Sequence, residues 1–323
     1  MAINSVSVLV TGVGSTPGIS VIKGLRVQKD IKLNIIGVDT NLENTIAGSS
    51  FCDKFYTVPK ASDEEEYIDT ILNICKIEKV KVIFPIIDIE IEVLTKHIRE
   101  FEQLDLKMWA SDYETIRICN SKYKTFKVFE QHQLPFARTF HFTECDKFTF
   151  PLIIKPDDGL SSAGVHKLET MEELLFYVKR ISNPILQEYI EGREFTIDIV
   201  CNDRSELLAC VPRERLEVKS GIASKSITVF NSDMINLSRR IAKILSFRGH
   251  INLQCKLNNK GEVIFFEINP RFSAAFPLTL EAGVNSPLIL TKIALGIPLD
   301  KDYYDFKENL YMSRYWNEVF YQH

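Results

Sequence analysis

Residues 6–11 (VSVLVT) form a short apolar, β-branched run, the pattern of a strand buried on both faces. A glycine-rich turn follows, with Thr16 able to cap a helix and Pro17 suited to its first position. Ile19, Ile22 and Leu25 then recur at helical spacing. Residues 33–38 read as a second strand that ends at Asp39. Ser62 and Glu65 have capping-box spacing, and Tyr67, Ile68, Ile71 and Leu72 form the inner face of the helix they would open. Residues 80–84 read as a third strand. Strand and helix alternate, which predicts an α/β domain with a parallel sheet over residues 1–111.

The pattern changes near Asp112. Two helices are expected at 112–119 and 121–132, closed by Pro135, and strands dominate afterwards. The run 151–155 (PLIIK) leads into a small-residue loop, 157–165, and a further strand is expected at 185–190. In residues 194–200, Phe195, Ile197 and Ile199 alternate with Thr196 and Asp198, the pattern of a half-buried antiparallel strand. Residues 251–255 and 263–271 read as two strands of a hairpin around the turn 258–261. The expected divisions are 1–111, a smaller unit with linker helices at 112–185, and a larger one at 186–323.

Composition narrows the class. The 323 residues are 45% hydrophobic and 25% charged, with a net charge of −4, so nothing global points to nucleic acid. No apolar run approaches the ~18 residues of a membrane helix, and the first residues lack a signal-peptide pattern, so a cytoplasmic location is expected. Seven cysteines, none at C-x-x-C spacing, argue for reduced thiols rather than a disulfide framework. The six histidines make no metal-binding pair.

Two regions carry candidate chemistry. The turn holds Gly12, Gly14 and Gly18, near the dinucleotide-binding pattern but with the third glycine one residue late; the same glycines serve a tight strand-to-helix turn equally well. Asp88, Glu90 and Glu92 face a cleft or form a solvated helix face. In the second region, Lys155 precedes the loop with Ser161, Ser162 and Gly164, whose amides and hydroxyls can close on phosphates. Glu267 and Asn269 share a strand face, as do Asn252 and Gln254. Paired, they gather one carboxylate and three amides, an oxygen set suited to Mg²⁺. Arg271 adds a planar fork for a carboxylate or phosphate. A buried structural polar network is the alternative.

These segments, in this order, resemble the ATP-grasp superfamily, and most closely a stand-alone synthetase domain of the carbamoyl-phosphate synthase large subunit. The motifs are Asn252-Leu253-Gln254, the run 266–271 (FEINPR), Lys155-Pro156 with its loop, and Gln187-Glu188 with Gly192-Arg193-Glu194. The resemblance implies an N-terminal parallel-sheet, Rossmann-like pre-ATP-grasp domain followed by a two-lobed ATP-grasp fold. It implies that Lys122, Lys155 and the Ser161, Ser162 and Gly164 loop hold ATP phosphates. Asn252 is placed with the nucleotide-binding residues, Glu188 and the backbone of Tyr189 and Ile190 near adenine, and Glu194 on the ribose. Gln254, Glu267 and Asn269 would hold Mg²⁺, with Mn²⁺ as an alternative ion. Arg271, Lys155 and Asn269 would be catalytic, Arg271 by clamping the acceptor carboxylate. The sequence departs from the synthase pattern after Arg271, where it reads FSAAFP. The implied reaction is ATP-dependent ligation of a small-molecule carboxylate to an amine or related nucleophile through an acyl phosphate. A homodimer is compatible with it; nucleic-acid and membrane partners are not expected. The alternatives are a bicarbonate-using carboxylase, a nicotinamide-dependent oxidoreductase using the glycine turn, and a non-catalytic nucleotide sensor.

Overall fold

The computed structural model describes residues 5–29, 31–145, 147–158, 164–299 and 305–322. A five-stranded parallel sheet opens the chain: β1 (Val6–Val10), β2 (Leu33–Asp39), β3 (Lys54–Thr57), β4 (Val80–Phe84) and β5 (Lys107–Met108), in the order β3-β2-β1-β4-β5. The half-buried β3 and the two-residue β5 escape the sequence reading, because neither has the length or apolar content of a central strand. Two helix starts also differ from expectation. Ser15, not Thr16, caps the helix Thr16–Val27, accepting from the Gly18 amide at 3.2 Å. The helix Glu64–Glu78 starts after Asp63 with no side-chain cap, so the Ser62 capping box does not form.

A four-stranded antiparallel sheet follows: β6 (Thr139–Phe140), β7 (Leu152–Pro156), β8 (His166–Leu168) and β9 (Pro184–Glu188), in the order β6-β9-β7-β8. The expected division between residues 185 and 186 falls inside β9, which hydrogen-bonds with β7 and so lies with the smaller sheet. The third sheet has six strands: β10 (Gly192–Cys201), β11 (Leu207–Lys219), β12 (Ile222–Thr228), β13 (Gly249–Asn258), β14 (Val263–Asn269) and β15 (Tyr311–Ser313), in the order β14-β13-β10-β11-β12-β15. Residues 213–224 make up most of the β11–β12 hairpin.

The apolar core explains how these sheets hold together. Val8, Val10 and Phe84 of the parallel sheet pack in one cluster with Val200 and Val211 of the six-stranded sheet and with Phe272 and Phe276. The N-terminal unit is thus fixed on the larger lobe by a shared core rather than hung on a linker. The other face of the six-stranded sheet packs Ile197, Ile199 and Leu253 with Phe126 and Phe129 of the helix Lys122–Gln131. Strand β10 is therefore covered on both faces. Thr196 and Asp198, expected on an outward face, are 6% and 1% exposed. Asp198 is tolerated there because Arg213 pairs with it at 2.8 Å and Thr279 donates to it at 2.6 Å. Burial pushes its carboxyl up, but Arg213, His250 and Thr279 together outweigh burial and hold it below the usual carboxylate range.

Candidate functional site

The small and large sheets face each other across a cavity of about 280 Å³. Alternation on β7 sends Leu152 and Ile154 into the small lobe's own core and leaves Ile153 and Lys155 to line the cavity. Gln187 and Glu188 on β9 join them, followed by Tyr189 and Ile190 where the chain crosses between the lobes. From the opposite sheet come Glu194, Arg215, Gln254, Lys256, Phe266 and Glu267. Four cationic side chains (Lys122, Lys155, Arg215, Lys256) stand against three carboxylates (Glu188, Glu194, Glu267), a positive excess that suits a polyanion. Ile153, Val165, Val218 and Phe266 give the same cavity an apolar part.

Lys155 is 5% exposed and donates to Gln187 Oε1 at 2.8 Å, above the Phe266 ring. Burial pushes its amine down to about 8; Glu267 works against that shift, and Lys122 adds to it. Lys122 is also buried and donates to the Asp157 carbonyl at 3.0 Å. Asp157 fixes the start of the helix Lys122–Gln131: its carboxylate accepts from Ser121 Oγ at 2.6 Å and from the Tyr123 amide at 2.8 Å. Both lysines are therefore held where the β7–β8 loop begins. Gly164, with φ +72°, is at the other end of that loop. Ser161 and Ser162 lie outside the described residues.

Glu188 is tied to the backbone of Arg138 in both directions: its Oε1 accepts from that amide at 3.0 Å and its own amide donates to that carbonyl at 2.9 Å. Tyr189 has Lys167 and Lys256 over its ring, 4.4 and 5.0 Å from the centroid.

On the β13–β14 hairpin the expected patch forms. Asn252 is opposite Asn269, and Gln254 opposite Glu267. Asn269 Nδ2 donates to Glu267 Oε1 at 3.0 Å, which leaves its carbonyl oxygen for another partner. Asn252 Oδ1 is buried and has no hydrogen-bond partner among the described residues. Among the described residues there is no group of three or more His, Cys, Asp or Glu that could hold a metal alone. One carboxylate among amides suits a hard cation that takes its remaining oxygens from water and a phosphate ligand. Glu267, Asn269 and Gln254 thus fit a magnesium site shared with a ligand. Asn252 does not line the cavity.

A second cavity, about 170 Å³, shares Lys122 and Glu267 with the first and extends to Asp88, Glu92, Asn120 and Asn269. Arg271 lines neither cavity. Its Nε donates to both Asp88 oxygens, at 2.7 and 2.8 Å, and Nη1 donates to the Phe272 carbonyl at 3.2 Å. Of the acidic run 88–92, Asp88 and Glu92 do face a cleft, while Glu90 does not. Asp88 holds Arg271, Glu90 is buried, and Glu92 accepts from Asn120 at 2.8 Å. Arg213 is wholly buried on Asp198, and Lys219 pairs with Glu217 at 3.0 Å in solvent.

The residues that sequence reasoning missed are Gln187 as the acceptor for Lys155, and Arg215, Lys256 and Phe266 as cavity walls. Phe266 and Glu267 are adjacent on β14 and both reach the cavity, next to the register shift that separates Gln254 from Cys255.

The glycine turn is filled from its own domain. Asp39 Oδ2 accepts from the Gly14 amide at 2.8 Å, and Oδ1 accepts from Asn41. Segment 47–51 lies so close that a Cβ on Gly48 would come within 1.8 Å of the Val13 carbonyl oxygen. The carboxylate that a dinucleotide ribose would need is committed to the turn, and the geometry favours the tight-turn reading.

Residues 8–109 match the family model for a PylC-like N-terminal domain. Residues 180–315 match the model for an ATP-grasp in the biosynthetic pathway with Ter operon. Among curated proteins, the carbamoyl phosphate synthase large chain of Thermoanaerobacter sp. (strain X514) is 29% identical over 236 residues, 66% of this chain and 21% of its own length. The chain thus spans about a fifth of that relative. Among solved structures, the biotin carboxylase domain of Hydrogenobacter thermophilus 2-oxoglutarate carboxylase aligns with a TM-score of 0.76 and 16% identity, covering 94% of this chain and 73% of that one. L-amino acid ligase from Bacillus licheniformis aligns with a TM-score of 0.67 and 16% identity, covering 90% and 74%. At these identities the two structures speak for the fold. No described helix is long and apolar enough to cross a membrane. The chain thus carries a segment similar to PylC-like N-terminal domains at residues 8–109 and one similar to ATP-grasp domains at residues 180–315, the latter supplying Glu188, Glu194 and Glu267 of the cavity.

Proposed function

We propose that the chain is an ATP- and Mg²⁺-dependent ligase that activates a carboxylate as an acyl phosphate and transfers the acyl group to an amine or related nucleophile. The observation that carries this reading is the convergence of Lys155, Glu188, Glu194 and Glu267 on one cavity between two sheets, with cationic side chains in excess. In this reading Tyr189 and Ile190, with Glu188, would meet the base, Glu194 the ribose, and Lys122 and Lys155 the phosphates. Mg²⁺ held by Glu267, Asn269 and Gln254 would supply charge neutralisation between the phosphates.

A carboxylate resists attack by an amine because oxide is a poor leaving group. Transfer of the γ-phosphoryl to that oxygen releases ADP and makes the leaving group phosphate, which the nucleophile then displaces. The protein's share is positioning and electrostatics. Lys155 supplies positive charge from a buried position, where a charge acts more strongly than in bulk water. Arg271, held on Asp88, which lines the second cavity, would meet the acceptor carboxylate beside that cavity.

A second reading keeps the fold and takes bicarbonate as the acceptor. In its favour, the similar biotin carboxylase domain was solved with MgADP and bicarbonate, as a dimer. ADP release that depends on bicarbonate with no organic acid present selects that reading. A homodimer is proposed on the same likeness.

The decisive experiment is a coupled ADP-release screen against pooled amino acids, small acids and amines, run on the wild type and on Glu267→Gln. The expected result is acceptor-dependent release in the wild type, abolished in the variant, with nucleotide binding weakened but retained. Normal turnover in Glu267→Gln refutes the metal role of Glu267.

A further inference from the structure

Arg215 belongs to no motif of the sequence, yet it lines the cavity. Its side chain is only 6% exposed. Nη1 donates to Glu194 Oε1 at 2.6 Å and to Gln254 Oε1 at 3.2 Å, and Nη2 donates to the Gly221 carbonyl at 2.7 Å. Nε is buried and has no hydrogen-bond partner among the described residues. Register breaks in the β11–β12 pairing between Arg215 and Glu217, the kind of bulge that re-aims a side chain. The guanidinium therefore grips one residue placed for the ribose and one placed for the metal, and ties both to the hairpin tip.

We propose that Arg215 is a positioning residue that competes with the divalent cation for Gln254 while orienting Glu194, so that metal joins the site in concert with nucleotide rather than alone. The inference rests on the nucleotide-binding reading above. Its logic is electrostatic. Gln254 Oε1 accepts from a positive guanidinium, and a metal ion taking that oxygen must displace the guanidinium while facing its charge. A ligand rich in phosphate oxygens can offer separate acceptors to the Nη1 proton freed from Gln254 and to the unpartnered Nε, while the other Nη1 proton stays on Glu194. A metal ion without nucleotide offers none, so its binding is opposed. Glu194 keeps its Oε2 for a ribose hydroxyl while Oε1 stays on Arg215.

The test measures Mn²⁺ binding to the folded full-length protein by electron paramagnetic resonance, without nucleotide and with a non-hydrolysable ATP analogue. In Arg215→Met, Mn²⁺ alone is expected to bind about tenfold more tightly than in the wild type, since a charge-assisted competitor has been removed. The gap between Mn²⁺ affinity with and without nucleotide narrows by the same factor. Adding Gln254→Leu to Arg215→Met is expected to erase the gain. Unchanged Mn²⁺ affinity in folded Arg215→Met overturns the proposal, as does a gain that survives Gln254→Leu. Should Arg215→Met fail to fold, Arg215→Lys is measured instead. Its single point charge cannot span Glu194, Gln254 and Gly221, so a smaller gain is expected, and no gain overturns the proposal. A wild type that binds neither Mg²⁺ with the analogue nor the analogue alone sinks the nucleotide reading itself, an outcome separate from these.

Discussion

Nucleotide binding should draw a proton from solvent, and Lys155 sets how much. Burial holds its amine at about 8. A polyphosphate beside it favours the charged form and returns the amine toward the ordinary value of ~10.4. At pH 7 the buried amine is already mostly protonated and uptake is ~0.1 proton per nucleotide; it rises to ~0.5 at pH 8 and ~0.9 at pH 9. The same shift bears on stability. Between about pH 8 and ~10.4 the unfolded chain holds the proton that folded Lys155 has lost, so this group's contribution improves as pH rises through that window. Below pH 8 the full cost of burying the charge is present, roughly 3 kcal/mol, and phosphate contact recovers part of it on binding. The assay is calorimetric titration of the Mg²⁺-loaded ATP analogue at pH 7, 8 and 9, in buffers of different ionisation enthalpy. Lys155→Arg keeps the charge and cannot lose its proton in this range, so its uptake should stay near zero. Equal uptake in wild type and Lys155→Arg, or none at pH 8 in a wild type that binds the analogue, refutes the reasoning.

Two further outcomes are expected in the N-terminal domain. Burial pushes the Glu90 carboxyl up to about 7 even though Thr11 donates to it at 2.6 Å. It holds its proton in the folded state between about pH 4.5 and 7, so its contribution falls as pH rises through that window; Glu90→Gln should stabilise the protein by about 2–3 kcal/mol at pH 8 and by little below pH 4.5, as read from urea unfolding at both pH values. The Asp88–Arg271 pair joins the N-terminal unit to the large lobe with its side chains 13% and 21% exposed. Asp88→Asn should cost about 1–2 kcal/mol by the same assay and raise the apparent KM for the acceptor more than that for ATP; an unchanged acceptor KM argues against Arg271 as the acceptor clamp.

Much of the fold was legible because its signals are local. The runs 6–11 and 33–39 are apolar enough to be strands in any packing, and the helices near 113–120 and 122–131 carry their own boundaries. What misled is equally physical. Thr196 and Asp198 alternate with apolar residues, and alternation alone cannot distinguish a solvent face from a face covered by a second layer. Asp198 is buried because Arg213 and Thr279 meet it there, and no local pattern records those partners. The same limit hid the internal role of Asp39, whose carboxylate accepts from the Gly14 amide in the turn that follows the neighbouring strand β1.

By itself the sequence determined that Glu267 and Asn269 share a strand face, that Asn252 and Gln254 share another, and that Lys155 ends a strand before a small-residue loop, since side-chain direction in a strand follows its period of two. Only the tertiary structure decided which groups answer one another across the lobes. Arg215 stands on Glu194 and Gln254, Gln187 receives Lys155, and Asp88 reaches Arg271 from 183 residues away. Those pairings depend on how whole sheets pack. Packing is fixed by the summed burial of many side chains, so it leaves no mark at the positions of the residues it brings together.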